Sequence, residues 1–352
     1  MRFHNGILSF DASDRYFLEK HGLHNTIKAA GKHYDSYETP FIRDTYQLAH
    51  QAGTFRKTLF ELCKNTSKHY KTITLKKKSG GVRYIHAPDG TLKCAQQYIL
   101  RNIVNKIAVS PYATAYVKGK RLHDNAAPHT NHRFLLKMDI TDFFGSITFL
   151  EVISSAFPAK MYPVQIGAML TSLCCLNDVL PQGAPTSPML SNIVMRSFDD
   201  FIGSWCQKRG VTYTRYCDDL TFSSDAPLYG VYLKVKETLE NRGFTVNEHK
   251  TKFITNASSQ RVTGLTVNEK VSIPKEYKQQ LRQEVYYAVK FGLANSILFG
   301  NKTDFVKNGV PDPVSYYEHL LGKLQYVLQI EPHNQWFGKA IKDLCDRYYL
   351  SK

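Results

Sequence analysis

VTYTRYCDDLTFSS, residues 211–224, sets two aspartates side by side between two strand-like runs. The alternation on either side predicts a β-hairpin with Cys217-Asp218-Asp219 at its tip. Two carboxylates that close repel each other unless a cation lies between them and a further partner. Asp139 is the candidate third acid. It lies in FLLKMDI, residues 134–140, where Phe134, Leu136, Met138 and Ile140 face one way and Leu135, Lys137 and Asp139 the other. That is the pattern of a half-buried strand ending in an acid. If the two strands are neighbours in one sheet, three acids converge on one edge. Such hard oxygen donors suit Mg²⁺, which keeps waters and accepts substrate phosphates as its remaining ligands. Two such ions, about 3.5–4 Å apart, activate an attacking hydroxyl and stabilise the leaving oxygen in phosphoryl transfer.

The chain carries a second acid pair, Asp199-Asp200, inside a predicted helix over 187–209. Ser187 is placed to cap that helix, Pro188 fits its first position, and Gly210 ends it after Lys208-Arg209. Leu190, Ile193, Val194, Phe198, Phe201, Ile202 and Trp205 form its apolar stripe. Between Phe198 and Phe201, Asp199-Asp200 reads as a solvated helix face. A bare acid pair is therefore weak information. The specific signal is YCDD on a hairpin turn, with KMDITDFF 79 residues upstream and LPQGAPTSPMLSN between them.

The rest of the chain sets the context. With 43% hydrophobic and 22% charged residues, its 352 residues suffice for two or three packed subdomains. No apolar run reaches the roughly 18–20 residues of a membrane helix. MRFHNGILSFDASDRYFLEKHG, at the N-terminus, lacks the apolar core of a secretory signal. The seven cysteines are odd in number and irregularly spaced, and read as reduced thiols packed in the core of a cytoplasmic protein. The formal charge is +16, and Lys64 to Arg133 holds fourteen Lys or Arg against only Asp89 and Asp124. So one-sided a surface points to a polyanion, and interleaved aromatics favour nucleic acid. TITLKKKSGGVRYIHAP, 72–88, reads as a hairpin with lysines at its tip. A helix follows over TLKCAQQYILRNIVNKIA, RVTGLTV at 261–267 reads as one short strand, and residues 11–60 read as helical pieces. From about 274 helical periodicity dominates, interrupted by a loop around GNKTDFVKNGVPDP. This order predicts an α+β fold with an antiparallel sheet.

KMDITDFF, PQGAPTSP (181–188) and Tyr216-Cys217-Asp218-Asp219, in this order, resemble the palm of a reverse transcriptase. More narrowly, the chain is similar to bacterial retron reverse transcriptases through DNAAPH (124–129) and RVTGL (261–265). Cys217 stands where those enzymes commonly carry Ala, a small difference. The resemblance runs from about residue 70 to 330. It implies a right-hand polymerase fold: an N-terminal helical extension over 1–60, fingers over 61–133 and 145–185, a palm over 134–144 and 186–268, and a thumb with RNA-recognition region over 269–352.

For individual residues, the resemblance implies that Asp139, Asp218 and Asp219, with the backbone carbonyl of Ile140, hold two Mg²⁺ ions. Phe144 would exclude a ribose 2′-OH, while Phe143 beside it belongs to the core. Gln182 and Gly183 would pack near the incoming dNTP, glycine allowing close backbone approach. Arg83 would clamp the triphosphate, helped by Lys76, Lys77 or Lys78, a choice left open. Lys250 matches a lysine near the pyrophosphate, as general acid or as a plain surface residue. Asn125 and His129 are RNA contacts, or equally a capped turn with a satisfied histidine. Tyr316 and Tyr317, with Tyr286 and Tyr287, are candidates for stacking on RNA. The implied function is RNA-directed DNA polymerase of a retron. Such an enzyme binds its cognate noncoding RNA, primes from an internal guanosine 2′-OH and makes multicopy single-stranded DNA (msDNA). It serves anti-phage defence beside a separate effector protein encoded nearby. The alternatives are a group II intron-like or diversity-generating reverse transcriptase, or a catalytically silent RNA-binding scaffold.

Overall fold

A computed structural model of the chain describes residues 2–4, 7–9, 42–76 and 80–350. Lys77, Lys78 and Ser79 of the basic hairpin, and residues 11–41 of the expected N-terminal helical extension, lie outside the described residues. The described part of that extension contains helices Thr45–Gln51 and Arg56–Lys64. Strands β1 (Arg2–His4) and β2 (Ile7–Ser9) form an antiparallel pair. No described helix is long and apolar enough to cross a membrane. The fold is mixed, with antiparallel sheets, as the order of patterns predicts.

Two compact units make up the chain. The first takes the described residues up to Lys120 with Leu136–Phe222 and Pro227–Lys252; the second takes Arg121–Leu135, Ser223–Ala226 and Phe253 onward. In the first unit β3 (Tyr70–Lys76) and β4 (Val82–Pro88) form the basic hairpin, with Leu75 opposite Arg83 and Lys76 opposite Val82. Gly80 and Gly81 at its turn both have positive φ, 84° and 81°. That conformation is open to glycine at no steric cost. Asp89 caps the helix Gly90–Asn102 by accepting from the Leu92 N–H at 2.9 Å.

The site is built on a sheet with strand order β6 (Thr212–Tyr216), β7 (Asp219–Ser224), β5 (Phe134–Thr141), β8 (Thr245–Val246), and β9 (Lys252–Thr255) also pairs with β5. β5 is not half-buried as its alternation suggests. Leu135, Leu136, Met138, Asp139 and Ile140 are all buried, because the strand has hydrogen-bonded neighbours on both edges and is covered on both faces. The helix Ser187–Gln207 packs against β6. Thr186, not Ser187, is its N-cap residue, and neither hydroxyl makes the capping bond. Gly210 follows with φ 65°.

The second unit has its own core. Leu281, Val285, Ile297, Leu320, Leu324 and Phe337 meet between helices Lys275–Phe291, Leu293–Phe299, Pro313–Ile330 and Gln335–Leu350. Glu284 is buried beside that core, where the ammonium groups of Lys302 and Lys323 reach its two oxygens at 2.9 and 2.6 Å. The stretch 261–267 is a tight hairpin, β10 (Arg261–Val262) with β11 (Leu265–Thr266). The single strand expected there is broken by Thr263-Gly264, whose φ values of 46° and 83° turn the chain back. The loop expected around 300–313 likewise contains a hairpin, β12 (Val306–Lys307) with β13 (Val310–Pro311), closed by Asn308-Gly309.

Candidate active site

Backbone pairing alone brings the three acids together. The Ile140 N–H donates to the Asp218 carbonyl at 3.1 Å, and the Asn247 N–H donates to the Asp139 carbonyl at 2.8 Å. Asp139 is thus next to the hairpin tip on one edge and β8 on the other. At the tip Cys217 has φ 61°, the left-handed region that lets a two-residue turn close. Asp139, Asp218 and Asp219 line one cleft of about 680 Å³, with Arg83, Phe144 and Gln182 also on its walls.

The electrostatics are those of crowded acids. Asp139 is 7% exposed, and the Lys250 ammonium lies on both its carboxylate oxygens at 2.9 and 3.1 Å. That hydrogen bond, together with the charges of all three acids, raises the Lys250 pKa against the effect of burial. Burial pushes the Asp219 carboxyl above its ordinary value. The charges of Asp218 and Asp139 add to the rise, while Lys137 and Lys250 oppose it. Among the described residues, no three acids, histidines or cysteines are grouped as a ready-made metal site. The donor chemistry nonetheless fits a hard cation, since an ammonium already occupies the Asp139 oxygens and the neighbouring acid carries an electrostatic burden a second cation would relieve.

The other expected residues fall as follows. Phe144 is half-buried on the cleft wall, and Phe143 beside it is buried, as expected. Arg83 is exposed. The Gln182 carbonyl accepts from the His86 N–H at 2.7 Å, which ties the Gln-Gly motif to the basic hairpin. Gly183, at φ 126°, has no room for a side chain: a Cβ there would lie 2.6 Å from the His86 carbonyl oxygen. Its backbone therefore approaches the hairpin, and Gln182 rather than Gly183 lines the cleft. Lys76 closes β3 and is not among the cleft-lining residues.

The expected RNA contacts need correction. Asn125 is 1% exposed, and its Nδ2 donates to Thr263 Oγ1 at 3.4 Å. His129 is fully buried, hydrogen-bonded through Nδ1 to Ser223 Oγ at 2.8 Å. Burial pulls its pKa down to about 3, with a smaller contribution from His132. Of the two readings of DNAAPH, the structure therefore shows the satisfied, packed histidine. Tyr316 is 1% exposed with its ring against Phe305, and Tyr317 stacks on Tyr348 with centroids 4.1 Å apart. Tyr316 thus has no open ring face for a base, and Tyr317 has one face taken by Tyr348. The exposed aromatics described in this unit include Tyr286, Tyr287, Phe291 and Phe299, with Lys290 over Tyr286 and Phe291.

Three features escaped the sequence reading. Tyr116 lines the cleft with its ring half exposed, at φ 61°, and donates its hydroxyl to Cys217 Sγ at 3.3 Å. Nothing in the sequence announces that backbone conformation. Asn192 donates to the Ala115 carbonyl at 2.8 Å and steadies the same segment. The largest departure is Asp199. It is not solvated but fully buried, paired with an equally buried Arg215. A signal existed: Asp199 is four residues after Met195, three before Ile202 and seven before Cys206, all fully buried on one helix face. Asp200 alone matches the expectation, half exposed and accepting from Ser110 Oγ at 2.6 Å.

Known proteins resemble this chain over most of its length. Residues 75–267 match the family described as reverse transcriptase (RNA-dependent DNA polymerase). The retron Mx65 reverse transcriptase of Myxococcus xanthus is 32% identical over 304 residues, 81% of this chain and 67% of that one. The retron Ec86 reverse transcriptase of Escherichia coli is 30% identical over 297 residues, covering 83% of this chain and 86% of its own. The retron Ec83 reverse transcriptase of the same organism is 34% identical over 244 residues, 64% and 78% of the two chains.

Proposed function

The chain belongs to the reverse transcriptase family, in its retron type, and from that premise we propose that it copies part of a structured noncoding RNA into msDNA primed from an internal guanosine 2′-OH. Its activity is that of an RNA-directed DNA polymerase. The observation that carries the site assignment is the Ile140 N–H to Asp218 carbonyl bond, which makes Asp139 and the Asp218-Asp219 tip neighbours on one cleft wall.

Asp139, Asp218 and Asp219, with the Ile140 carbonyl, are the residues we assign to two Mg²⁺ ions. When held by these residues, the ions would supply activation of the attacking hydroxyl and would offset charge on the leaving pyrophosphate. The chain's own groups do the rest. Arg83, exposed on its hairpin, offers a planar fork to the triphosphate; of Lys76, Lys77 and Lys78, only Lys76 is among the described residues, opposite Val82. Phe144 presents its ring to the sugar and leaves no room for a 2′-hydroxyl. Gln182, held by the His86 N–H, borders the base, and Gly183 fixes that segment by its close approach. Lys250, already charged on Asp139, is the proton donor for the pyrophosphate oxygen. The fingers, palm and thumb follow the boundaries given above. RNA is the partner, consistent with the basic stretch Lys64 to Arg133. Within the C-terminal helices we assign stacking to exposed Tyr286 and Tyr287 rather than to buried Tyr316 and half-buried Tyr317. A separate effector and a role in anti-phage defence complete the proposal.

The test is nucleic acid co-purified from cells carrying the native locus, run on a denaturing gel. A discrete species that shortens with RNase and vanishes with DNase is the expected result. Free DNA without attached RNA would remove the branched priming and leave the polymerase. RNA alone, with no DNA after adding Mg²⁺ and dNTPs, would overturn the polymerase reading.

A further inference from the structure

The Asp218-Asp219 tip is held from inside the protein by a buried ion pair. Arg215 and Asp199 both have side chains with 0% exposure. The guanidinium meets the carboxylate through Nε at 2.9 Å to Oδ1 and 3.2 Å to Oδ2, and through Nη2 at 2.6 Å to Oδ2. The Tyr213 hydroxyl donates to Asp199 Oδ1 at 2.8 Å. One face of the fork is left, and it is used: Nη1 donates to the Cys217 carbonyl at 3.0 Å. The Arg215 backbone is tied as well. Its N–H donates to the Tyr112 carbonyl at 2.9 Å, and its carbonyl accepts from the Thr114 N–H at 2.9 Å and Oγ1 at 3.0 Å.

A buried pair of this kind is poorly explained by stability. Taking two charges out of water offsets most of their attraction, and apolar residues of similar volume often serve a core as well or better. An apolar pair lacks one thing, a donor for the Cys217 carbonyl. That carbonyl belongs to a non-glycine residue at φ 61°, a conformation that persists only where its surroundings over-determine it. It also immediately precedes Asp218 and Asp219. The third bond of the fork thus acts on the peptide from which both carboxylates are suspended.

We propose that Arg215, oriented by Asp199 and Tyr213, is a positioning residue: by holding the Cys217 carbonyl it fixes the turn that aims Asp218 and Asp219 into the cleft. Arg215 touches no substrate. The inference rests on the assignment of Asp218 and Asp219 to the polymerase reaction, and its test is chosen to separate the two.

The experiment compares the parent with the double variant Asp199→Leu, Arg215→Met in the full chain. It reads the melting temperature, amide hydrogen exchange, and kcat and KM for single-nucleotide addition on a primed RNA template. The double variant is expected to melt a few degrees below the parent: no buried charge is left unpaired, but the Tyr213 hydroxyl and the Cys217 carbonyl each lose a hydrogen bond. Exchange at Ile140 and residues 216–220 rises about tenfold, as expected for losing one hydrogen bond's net contribution. kcat falls about 100-fold, the scale of a small misplacement of catalytic groups, while KM for the dNTP stays within about threefold. Parent-like stability together with parent-like tip exchange and kcat would overturn the proposal and leave the pair as core filling. If the double variant does not fold, Arg215→Lys decides. It keeps a charge opposite Asp199 but lacks the fork to reach Cys217 as well. The same loss is expected, and parent-like exchange and kcat in this variant would overturn the proposal. If the parent itself makes no DNA on any primed RNA, the polymerase reading falls, and the exchange measurement still decides whether Arg215 holds the tip.

Discussion

Asp199-Asp200 and Asp218-Asp219 are the same dipeptide 19 residues apart in one compact unit, and the fold gives them opposite duties. On the helix, one acid of the pair is sealed in the interior against a guanidinium and the other lies half in solvent against Ser110 and Arg196. At the hairpin tip both acids border a cleft, and the cations near them, Lys250 and Lys137, come from neighbouring strands and loops. What separates the pairs is the counter-charge each is given. A fork with a fixed geometry locks Asp199 in place. A flexible ammonium with a largely exposed side chain stands on Asp139 and can leave it. The first arrangement is structural and permanent. The second is exchangeable, as a site that admits charged substrates requires.

Breaking the tip pair has the largest expected effect. Asp218→Asn with Asp219→Asn should abolish DNA synthesis in a primer-extension assay while RNA affinity, measured by filter binding, stays near the parent's. Full synthesis by that variant would remove the tip from the chemistry and with it the contrast. Breaking the helix pair comes next. Asp199→Asn leaves the Arg215 guanidinium buried without its counter-charge, and urea denaturation should show a loss of about 3–5 kcal/mol. A loss under about 1 kcal/mol would mean the pair is not sealed from water.

His129 sharpens the comparison by a different solution to burial: it is kept neutral instead of being paired. Its folded pKa, about 3, is below the ordinary 6.5, so the folded state binds fewer protons than the unfolded one. The stability it contributes is present above about pH 6.5 and is lost as pH falls toward about 3. His129→Gln should flatten the acid limb of the stability profile in that window; an unchanged slope would place the titration elsewhere. The smallest effect belongs to Asp200. Asp200→Ala removes a partly exposed acceptor of Ser110 and should cost about 1 kcal/mol in the same denaturation, with synthesis unaffected.

The outline of this contrast was legible before the structure, and its physics was not. Period-two alternation located β5, β6 and β7, and the helix over 187–207 followed from its stripe. Alternation reports one covered face, so it could not show that β5 is covered on both. The acid on the helix is flanked in sequence by Phe198 and Asp200-Phe201, which says nothing of its burial; that follows from the i, i+4, i+7 face it shares with Met195 and Ile202. The hairpin at 306–311 had a readable turn in Asn308-Gly309, but its strands are only two residues long. Thr263-Gly264 gave a weaker signal, since a β-branched residue at positive φ is unusual. A motif such as DNAAPH can be recognised from its letters, but letters carry no exposure, and both its marked residues turned out to be interior.

The hydrogen bonds on either side of Asp139 have a consequence for how this segment can change. One edge of β5 is indexed to the tip through Ile140 and Asp218, the other to Asn247 through Asp139 itself. Side chains on a strand alternate, so adding or removing one residue upstream within the strand, with the pairing of the apolar positions retained, turns the acid to the opposite side of the sheet. The segment therefore tolerates spelling errors better than counting errors: one apolar residue can replace another along Leu136 or Met138, but the number of residues between them and Asp139 is fixed. An insertion scan through 134–141 should read as a parity test, with single-residue insertions abolishing synthesis at positions where apolar substitutions are tolerated.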